Sequence, residues 1–280
     1  MTAITIGLFL LGLGFGSFVN ALVWRLHERD KTSGPKNKEL SVINGRSMCP
    51  HCRHTLAWYD LIPVFSWLAL RGKCRYCQKP ISVQYPIVEL LGGLVFAGSY
   101  LFWPSVVHQN GQWLLLSMWL AAAVGLLALA VYDLRWMLLP NRILYPALLA
   151  AAGGRTAYLI AYQPRKTHAL VLWIGSVAVA SGIFWFLYIT SKGKWIGYGD
   201  VRLGLVTGTL LADPYKSLLM IFLAALIGSL SAAPALAKGQ KTIASRLPFG
   251  PFLITATAIC VVFGQPIIDW YKNLMGLNGF

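Results

Sequence analysis

The sequence is poor in charged residues, and acids are the scarcest of them. Charged side chains make up 12% of the 280 residues, whereas a soluble globular chain carries about 25%. Hydrophobic residues reach 57%, and the mean hydropathy is +0.61. This composition excludes disordered, collagenous and small disulfide-rich proteins, and it argues against an ordinary soluble enzyme. It indicates that most of the chain lies in a lipid bilayer.

Long uncharged segments predict about eight transmembrane helices. Residues 1–24 carry no charge, and the uncharged stretch 90–132 is long enough for two crossings of about 20 residues each. Further apolar runs follow at about 139–161, 168–190, 201–212, 217–237 and 248–268. The run 201–212 is too short to span a bilayer alone. The predicted fold class is therefore an all-α polytopic membrane protein, divided into a first anchor (1–24), a loop (25–85) and a multi-span domain (86–280).

The positive charges predict the orientation of the chain. The formal net charge is +15, and nineteen of the 24 Lys and Arg residues lie in loops that alternation places on one side, eleven of them between residues 24 and 85. Such loops are typical of the cytoplasmic side, so both termini are predicted to lie outside. Because the cations are spread over four loops, they favour contact with lipid head groups over nucleic-acid binding.

Four of the five cysteines form two CxxC pairs in the loop after the first helix. They are Cys49, Cys52, Cys74 and Cys77. Four thiolates suit a tetrahedral zinc ion, and a site closed by four protein ligands is structural. Two disulfides or a redox role are the alternatives, but the reducing cytoplasm disfavours disulfides. The sequence therefore predicts one structural zinc ion in a cytoplasmic loop.

Two aspartates lie at the ends of predicted membrane segments. Asp133 closes the third segment, and Asp200 opens the sixth directly after Gly197 and Gly199. The topology places both at the cytoplasmic interface, where the glycines would let a substrate strand approach the backbone closely. Two neighbouring carboxylates can share one proton, so that one activates water while the other protonates a carbonyl oxygen. The pair therefore predicts peptide hydrolysis without a metal or a covalent nucleophile.

Other interpretations of the aspartates stay open at this point. Asp133 could pair with Arg135 or Arg142 while Asp200 only caps a helix. Intramembrane carboxylates also mark ion pathways in ion-coupled transporters, where they lie near the midplane and accompany repeat symmetry. The positions of both aspartates at segment ends favour a protease. A non-catalytic assembly factor is a third candidate.

Several motifs are shared with one family of bacterial membrane proteases. They are 16–20 (GSFVN), 58–63 (WYDLIP) between the two CxxC pairs, 139–141 (LPN) after Asp133, 197–203 (GYGDVRL) and 247–251 (LPFGP). On these motifs the chain resembles the prepilin leader peptidase/N-methyltransferases, which are GxGD-type membrane aspartic proteases, over nearly its whole length. His27 and Arg202 replace the usual Pro and Lys, and both lie outside the aspartates.

The resemblance implies two activities at the bacterial inner membrane. The protein would cleave the basic leader from type IV prepilins and pseudopilins on the cytoplasmic side, and would then N-methylate the new amino terminus with S-adenosylmethionine. Asp133 and Asp200 would be the catalytic pair, and the four cysteines would bind the zinc ion. Pilus or type II secretion machinery would be the partner. The cysteine loop favours this bifunctional type over peptidase-only relatives.

A basic leader also needs acidic contacts on a face that is rich in cations. The candidate residues are Glu28, Asp30, Glu39, Asp60 and Glu89. No GxGxxG motif follows a predicted strand, so the sequence assigns no residues to a methyl-donor site.

Overall fold

The computed structural model describes residues 2–31, 40–41, 45–107, 111–237 and 247–276. Over these ranges the fold is helical, and the only β contacts are two isolated bridges in the cysteine loop. The helices are α1 (Thr2–Lys31), α2 (Phe65–Ala69), α3 (Gln84–Leu101), α4 (Gln112–Trp136), α5 (Asn141–Tyr162), α6 (Lys166–Thr190), α7 (Tyr198–Leu211), α8 (Pro214–Ala237) and α9 (Gly250–Leu274).

Six of the described helices are long and apolar enough to cross a membrane, namely α1, α4, α5, α6, α8 and α9. This confirms the predicted class of polytopic helical membrane protein. Helix α7 has 14 residues and rises about 21 Å, less than the hydrocarbon core of about 30 Å. Because α3 and α7 are not among the six, the predicted count of eight spans stays a prediction.

The chain divides into two compact units, Met1–Leu101 and Phe102–Phe280, which we call the amino-terminal and carboxy-terminal units. The amino-terminal unit is built on the packing of α1 along α3. A Cβ atom at Gly16 would lie only 2.6 Å from Cα of Glu89, so glycine lets the two helix backbones meet. Helix α1 continues past Trp24 to Lys31, and the cysteine loop lies between α1 and α3.

The carboxy-terminal unit packs α4 on α5, α6 on α7 and α8 on α9. Short helix α7 is largely buried within it, with Leu203 and Val206 both fully inaccessible to solvent. Gly204 permits this because a Cβ atom there would lie 2.7 Å from the carbonyl oxygen of Ala180 on α6. The Ser181 hydroxyl also donates to the Val201 carbonyl at 2.9 Å. Other helices of the unit thus surround α7, which explains how so short a helix is accommodated.

Candidate active site and metal centre

Asp133 lies in the last turn of α4 and is 6% exposed. The helix ends there because Met137 adopts a left-handed conformation, with φ of 53°, and its amide donates to the Asp133 carbonyl at 2.8 Å. The Asp133 carboxylate is hydrogen-bonded to the start of another helix. Its Oδ2 atom accepts a hydrogen bond from the backbone amide of Gly250, the first residue of α9, at 3.1 Å.

Asp200 lies in the first turn of α7 and is half-buried. Gly197 is the residue that caps this helix, and its carbonyl accepts the Asp200 amide at 3.1 Å. A Cβ atom at Gly197 would lie 3.7 Å from Oδ2 of Asp200. The carboxylate therefore turns back over the start of its own helix, beside the glycine-containing segment.

The side chain of Leu139, in the segment between α4 and α5, lies beside the starts of both α7 and α9. A Cβ atom at Gly199 would lie 3.1 Å from its side chain, and one at Gly250 would lie 3.5 Å from it. The same Cβ atom at Gly250 would lie only 2.7 Å from Oδ2 of Asp133. The starts of α7 and α9 thus converge on the end of α4, close enough for the charges of Asp133 and Asp200 to interact. The structure brings the predicted pair together across 67 residues of sequence.

The two CxxC turns in the amino-terminal unit repeat one backbone geometry. The Arg53 amide donates to the Cys49 carbonyl at 2.9 Å, and the Gln78 amide donates to the Cys74 carbonyl at 2.9 Å. Arg53 and Gln78 both adopt φ of 57°. An isolated bridge also closes each turn. The two copies of the turn present their cysteines to a common centre.

The four Sγ atoms at this centre lie within 4.8 Å of one another. Those of Cys49 and Cys77 are 3.9 Å apart. Tetrahedral zinc with Zn–S bonds of about 2.3 Å separates its sulfur ligands by about 3.8 Å. The cysteine cluster, as we call Cys49, Cys52, Cys74 and Cys77, therefore fits one four-coordinate zinc ion.

Comparisons with known proteins cover both sites. The bacterial peptidase A24 N-terminal domain matches residues 10–103, which include the cysteine cluster. The type IV leader peptidase family matches residues 120–233, which include Asp133 and Asp200. The prepilin leader peptidase/N-methyltransferase of Aeromonas hydrophila is 31% identical to this chain over 94% of the chain and 92% of its own length. The chain belongs to the type IV leader peptidase family.

Other relatives of the same name support this family assignment. The protein from Xanthomonas campestris pv. campestris is 32% identical over 96% of this chain and 94% of its own length. The protein from Bacillus subtilis (strain 168) is also 32% identical, over 95% of this chain and 97% of its own length. No solved structure matches the chain.

The thiols of the cluster differ in how readily they ionise. Burial raises the pKa of the Cys49 thiol to about 12. Burial acts in the same direction on Cys74, but the backbone amides of Cys77 and Tyr76 outweigh it and lower the pKa of Cys74 to about 7. The Cys74 thiol thus ionises more readily than the Cys49 thiol, which must lose its proton when a metal binds.

The acids predicted to contact a leader lie in different surroundings, as far as the structure describes them. Glu28 pairs with Lys31 at 3.8 Å near the end of α1, where Asp30 is exposed. Glu89 is buried in α3, and its carboxylate accepts the Val64 amide at 2.7 Å. Glu39 lies outside the described residues. Asp60 belongs to the surroundings of the cysteine cluster.

Asp60 holds the second CxxC turn of the cysteine cluster. Its side chain is 3% exposed, and it accepts hydrogen bonds from Arg75 Nε at 2.8 Å and from the Tyr76 hydroxyl at 3.0 Å. Burial acts to raise the pKa of Asp60, but the hydrogen bonds from Arg75 and Tyr76 outweigh it and keep that pKa below its usual value. The carboxylate is therefore ionised at neutral pH and is engaged inside the loop.

Two contributors to the candidate active site were not identified from sequence. One is the amide of Gly250, whose motif was noted only as part of the family resemblance. The other is Arg202, which donates to Asn141 Oδ1 and lies 4.9 Å above the Tyr198 ring. This contact ties the start of α7 to the start of α5. The helix start at 250–251, with glycine followed by proline, was the available signal for the first contact.

Proposed function

We propose that this protein is a membrane aspartic endopeptidase that removes the leader peptide from type IV prepilins and pseudopilins. The observation that carries the proposal is the convergence of Asp133 and Asp200 at one end of the carboxy-terminal unit. The names of the relatives supply the substrate class. Placement of both aspartates at helix ends suits a protease that meets its substrate at the membrane surface.

The geometry supports general acid–base hydrolysis by the aspartate pair. One ionised carboxylate takes a proton from water, while the protonated partner donates to the scissile carbonyl oxygen. The Gly250 amide occupies Oδ2 of Asp133 and so fixes the orientation of that carboxylate. Gly197 is exposed and has no side chain, so the backbone beside Asp200 stays accessible there to an extended substrate strand, whereas Gly199 packs against Leu139. The roles of the two aspartates exchange when the amine leaves with a proton.

We further propose that the protein methylates the amino terminus that cleavage exposes. The support is the shared name of the relatives, which couples leader peptidase to N-methyltransferase. S-adenosylmethionine is the proposed methyl donor and enters as a second substrate. The presence of the whole amino-terminal unit, with its cysteine cluster, favours this bifunctional type over a peptidase-only enzyme.

The cysteine cluster is proposed to bind one structural zinc ion. Four thiolates leave no open coordination position, so the ion would crosslink the two CxxC turns without contacting substrate. A side chain beside the cluster also holds one of the two CxxC turns in place. Asp60 ties the second turn to the 3-10 turn Trp58–Leu61 through its contacts with Arg75 and the Ala57 amide.

We propose that the protein lies in the bacterial inner membrane with the aspartate pair facing the cytoplasm and both chain termini on the periplasmic side. The distribution of Lys and Arg supports this orientation. Pilus or type II secretion machinery would receive the processed substrates. The leader itself would enter from the same side as the large basic loop.

The decisive experiment replaces each aspartate by the isosteric amide. Asp133→Asn and Asp200→Asn should each abolish leader removal from a purified prepilin, because neither amide can exchange the required proton. Methylation of a substrate that has already been cut should survive in both variants. Asp269→Asn, which makes the same change at an exposed site, is the matched control. Mass spectrometry reads leader loss and methyl addition separately.

The outcomes distinguish the candidate functions. Full cleavage by either variant would overturn the aspartic mechanism. Leader loss by the unmodified protein without methyl addition would reduce the proposal to a peptidase. Failure of the unmodified protein to cut any prepilin or pseudopilin would overturn the proposed function.

Leader binding can be tested on the two acids near the end of α1. Screening is effective beyond about 8 Å at physiological salt, so close counter-charges matter most to a basic leader. Glu28→Lys and Asp30→Lys should raise KM and leave kcat nearly unchanged. Asp269→Lys is the control for the change in total charge. Unchanged KM in both variants would show that these acids do not bind the leader.

A further inference from the structure

A cavity of about 240 Å³ lies in the carboxy-terminal unit where α5 ends and α6 begins. Its lining includes Arg155, Arg165, His168 and Ala212. Ala212 follows the last residue of α7, whereas Asp200 lies in the first turn of that helix. The cavity is therefore at the opposite end of α7 from the aspartate pair, and the mechanism proposed above does not use it.

Arg155 presents a positive charge that the described part of the chain does not neutralise. One nitrogen, Nη2, donates to the Leu210 carbonyl at 3.0 Å, near the end of α7. The Nε atom is buried and has no hydrogen-bond partner among the described residues. No carboxylate there forms an ion pair with this guanidinium, since both described ion pairs lie in the amino-terminal unit. Burying such a charge unpaired is costly.

The groups near Arg155 increase the positive charge. Lys216, at the start of α8, is close enough to interact electrostatically with Arg155 as a like charge. Asp213 is the nearby acid, but its Oδ1 atom already accepts the amides of Tyr215 and Lys216. It therefore serves as the cap of α8. Its charge acts on Lys216, and it forms no ion pair with Arg155 among the described residues. A bound anion would supply the charge that Arg155 lacks.

The rim of the cavity adds a second cation, Arg165, beside the imidazole of His168. Arg165 and His168 line it from an exposed position at the start of α6. The positive end of the α6 helix dipole is located at the same place. No Asp or Glu belongs to the lining. A water molecule takes about 30 Å³ of liquid volume, so the cavity has room for a group the size of a phosphate.

Apolar residues complete the lining. Leu159 on α5 and Leu172 on α6 contribute to the cavity wall, and both helices are long and apolar enough to span a membrane. We propose that this cavity binds the phosphate group of an anionic phospholipid, with the acyl chains along α5 and α6. Arg155 would form the inner contact and Arg165 the outer contact. This site is independent of the proposed peptidase function.

Phospholipid binding can be measured on the full chain purified in a neutral detergent. Native mass spectrometry would compare dioleoyl phosphatidylglycerol with dioleoyl phosphatidylcholine, which has the same acyl chains and no net charge. We expect the anionic lipid to bind more tightly. Arg165→Gln should weaken its binding about fivefold, the effect of one cation near a lipid head group. Lys166→Gln is the matched control, because Lys166 is the exposed neighbour that does not line the cavity.

Arg155→Gln should weaken binding more than Arg165→Gln. Since Arg155 also bonds to α7, its variant is interpreted only alongside the rim variant, which leaves that contact intact. Equal binding of the two lipids, or equal effects of Arg165→Gln and Lys166→Gln, would overturn the proposal. Displacement of the lipid by millimolar inorganic phosphate would assign the site to a soluble anion and overturn the lipid assignment. Retention of the lipid under those conditions supports it.

Discussion

The cysteine cluster and the aspartate pair are assembled in different ways. Each CxxC turn closes through hydrogen bonds among residues no more than nine apart, such as that from the Cys49 amide to the His54 carbonyl. The aspartate pair depends instead on three helix ends that come together from distant parts of the carboxy-terminal unit. A glycine contact at Gly199 and another at Gly250 permit this approach. Local backbone geometry builds one site, and helix packing builds the other.

This comparison implies that the two sites should fail separately and for different reasons. The cluster should be sensitive to loss of its sulfur atoms, and the pair should be sensitive to any added volume at the helix contacts. The surface of the loop should tolerate substitution better than the buried contact of Asp133 with α9. Four experiments test this difference.

The largest expected effect is loss of the metal from the cysteine cluster. Purified protein should contain about one zinc ion per chain, and Cys49→Ser combined with Cys74→Ser should contain none, because each CxxC turn then keeps only one thiolate. Elemental analysis gives the zinc content, and hydrogen exchange over residues 45–83 should rise. Cys260→Ser, at the remaining cysteine in α9, should keep its zinc. Zinc-free protein with normal exchange in the loop would contradict a structural role.

The next effect is loss of cleavage when volume is added at the aspartate pair. Gly250→Ala would place a Cβ atom 2.7 Å from Oδ2 of Asp133, so the carboxylate or α9 must shift. Displacement by about 1 Å can cost about 100-fold in rate, and we expect kcat for leader removal to fall by that factor. Gly182→Ala on α6 has no atom within 4 Å of the added carbon and is the control. Zinc content should be unchanged in both variants.

An equal loss of activity in the two glycine variants would show that helix glycines matter generally, and not through the contact with Asp133. Normal activity in Gly250→Ala would show that α9 can shift freely beside the pair. Either result would contradict the view that the aspartate pair depends on helix packing whereas the cysteine cluster depends on local backbone geometry.

The cysteine cluster was largely predictable from sequence because its geometry is local. Two CxxC pairs specify four ligands, and the structure brings their sulfur atoms together as expected. The class of helical membrane protein was also predictable, since apolar segments of sufficient length have few other solutions. The number of membrane spans was less predictable, because α3 and α7 differ from the six long apolar helices in length or apolarity.

The contacts of the aspartate pair were beyond sequence reasoning. The predicted topology put Asp133 and Asp200 on one side of the membrane but gave no packing partners, and the amide of Gly250 lies 117 residues from Asp133. The loop contacts of Asp60, which the sequence offered only as a candidate for leader contact, illustrate the same difficulty. Nothing in the spacing of Asp60, Arg75 and Tyr76 shows that the three side chains meet. Partner choice is a property of the folded loop.

Acid should weaken the zinc site in a way that reflects its two kinds of thiol. Protons compete with zinc for thiolates, so affinity falls as the pH falls. The Cys49 thiol, with a pKa of about 12, releases a proton on binding throughout the neutral range. Cys74, with a pKa of about 7, releases one only below that value. Below about pH 7, affinity should therefore change by about a further tenfold per pH unit.

Competition with a zinc chelator between pH 5.5 and pH 8.5, a range chosen around the value of about 7 for Cys74, measures this slope. A steeper dependence on the acid side than on the alkaline side is the expected result. Asp269→Asn, which lies in the other unit, should show the same curve. A single slope over the whole range would contradict the assignment of a distinct, readily ionised Cys74.

The smallest effect concerns the surroundings of the cluster. Asp60 is ionised at neutral pH because its pKa lies below its usual value. Its stabilising contribution to the folded loop is therefore fully present at neutral pH. That contribution is lost only as the pH falls through the lowered pKa. Asp60→Asn keeps the shape but weakens the contacts with Arg75 and Tyr76, and should speed zinc release to a chelator at pH 7 about fivefold, the equivalent of one ordinary hydrogen bond. Asp30→Asn removes the same charge from an exposed position in the same unit and should leave release unchanged.

Because the bonds to Asp60 connect the second CxxC turn to residues 57–60, equal release rates in the two variants would show that backbone hydrogen bonds alone hold that turn. A faster rate only in Asp60→Asn would show that this locally built site also depends on one side-chain contact.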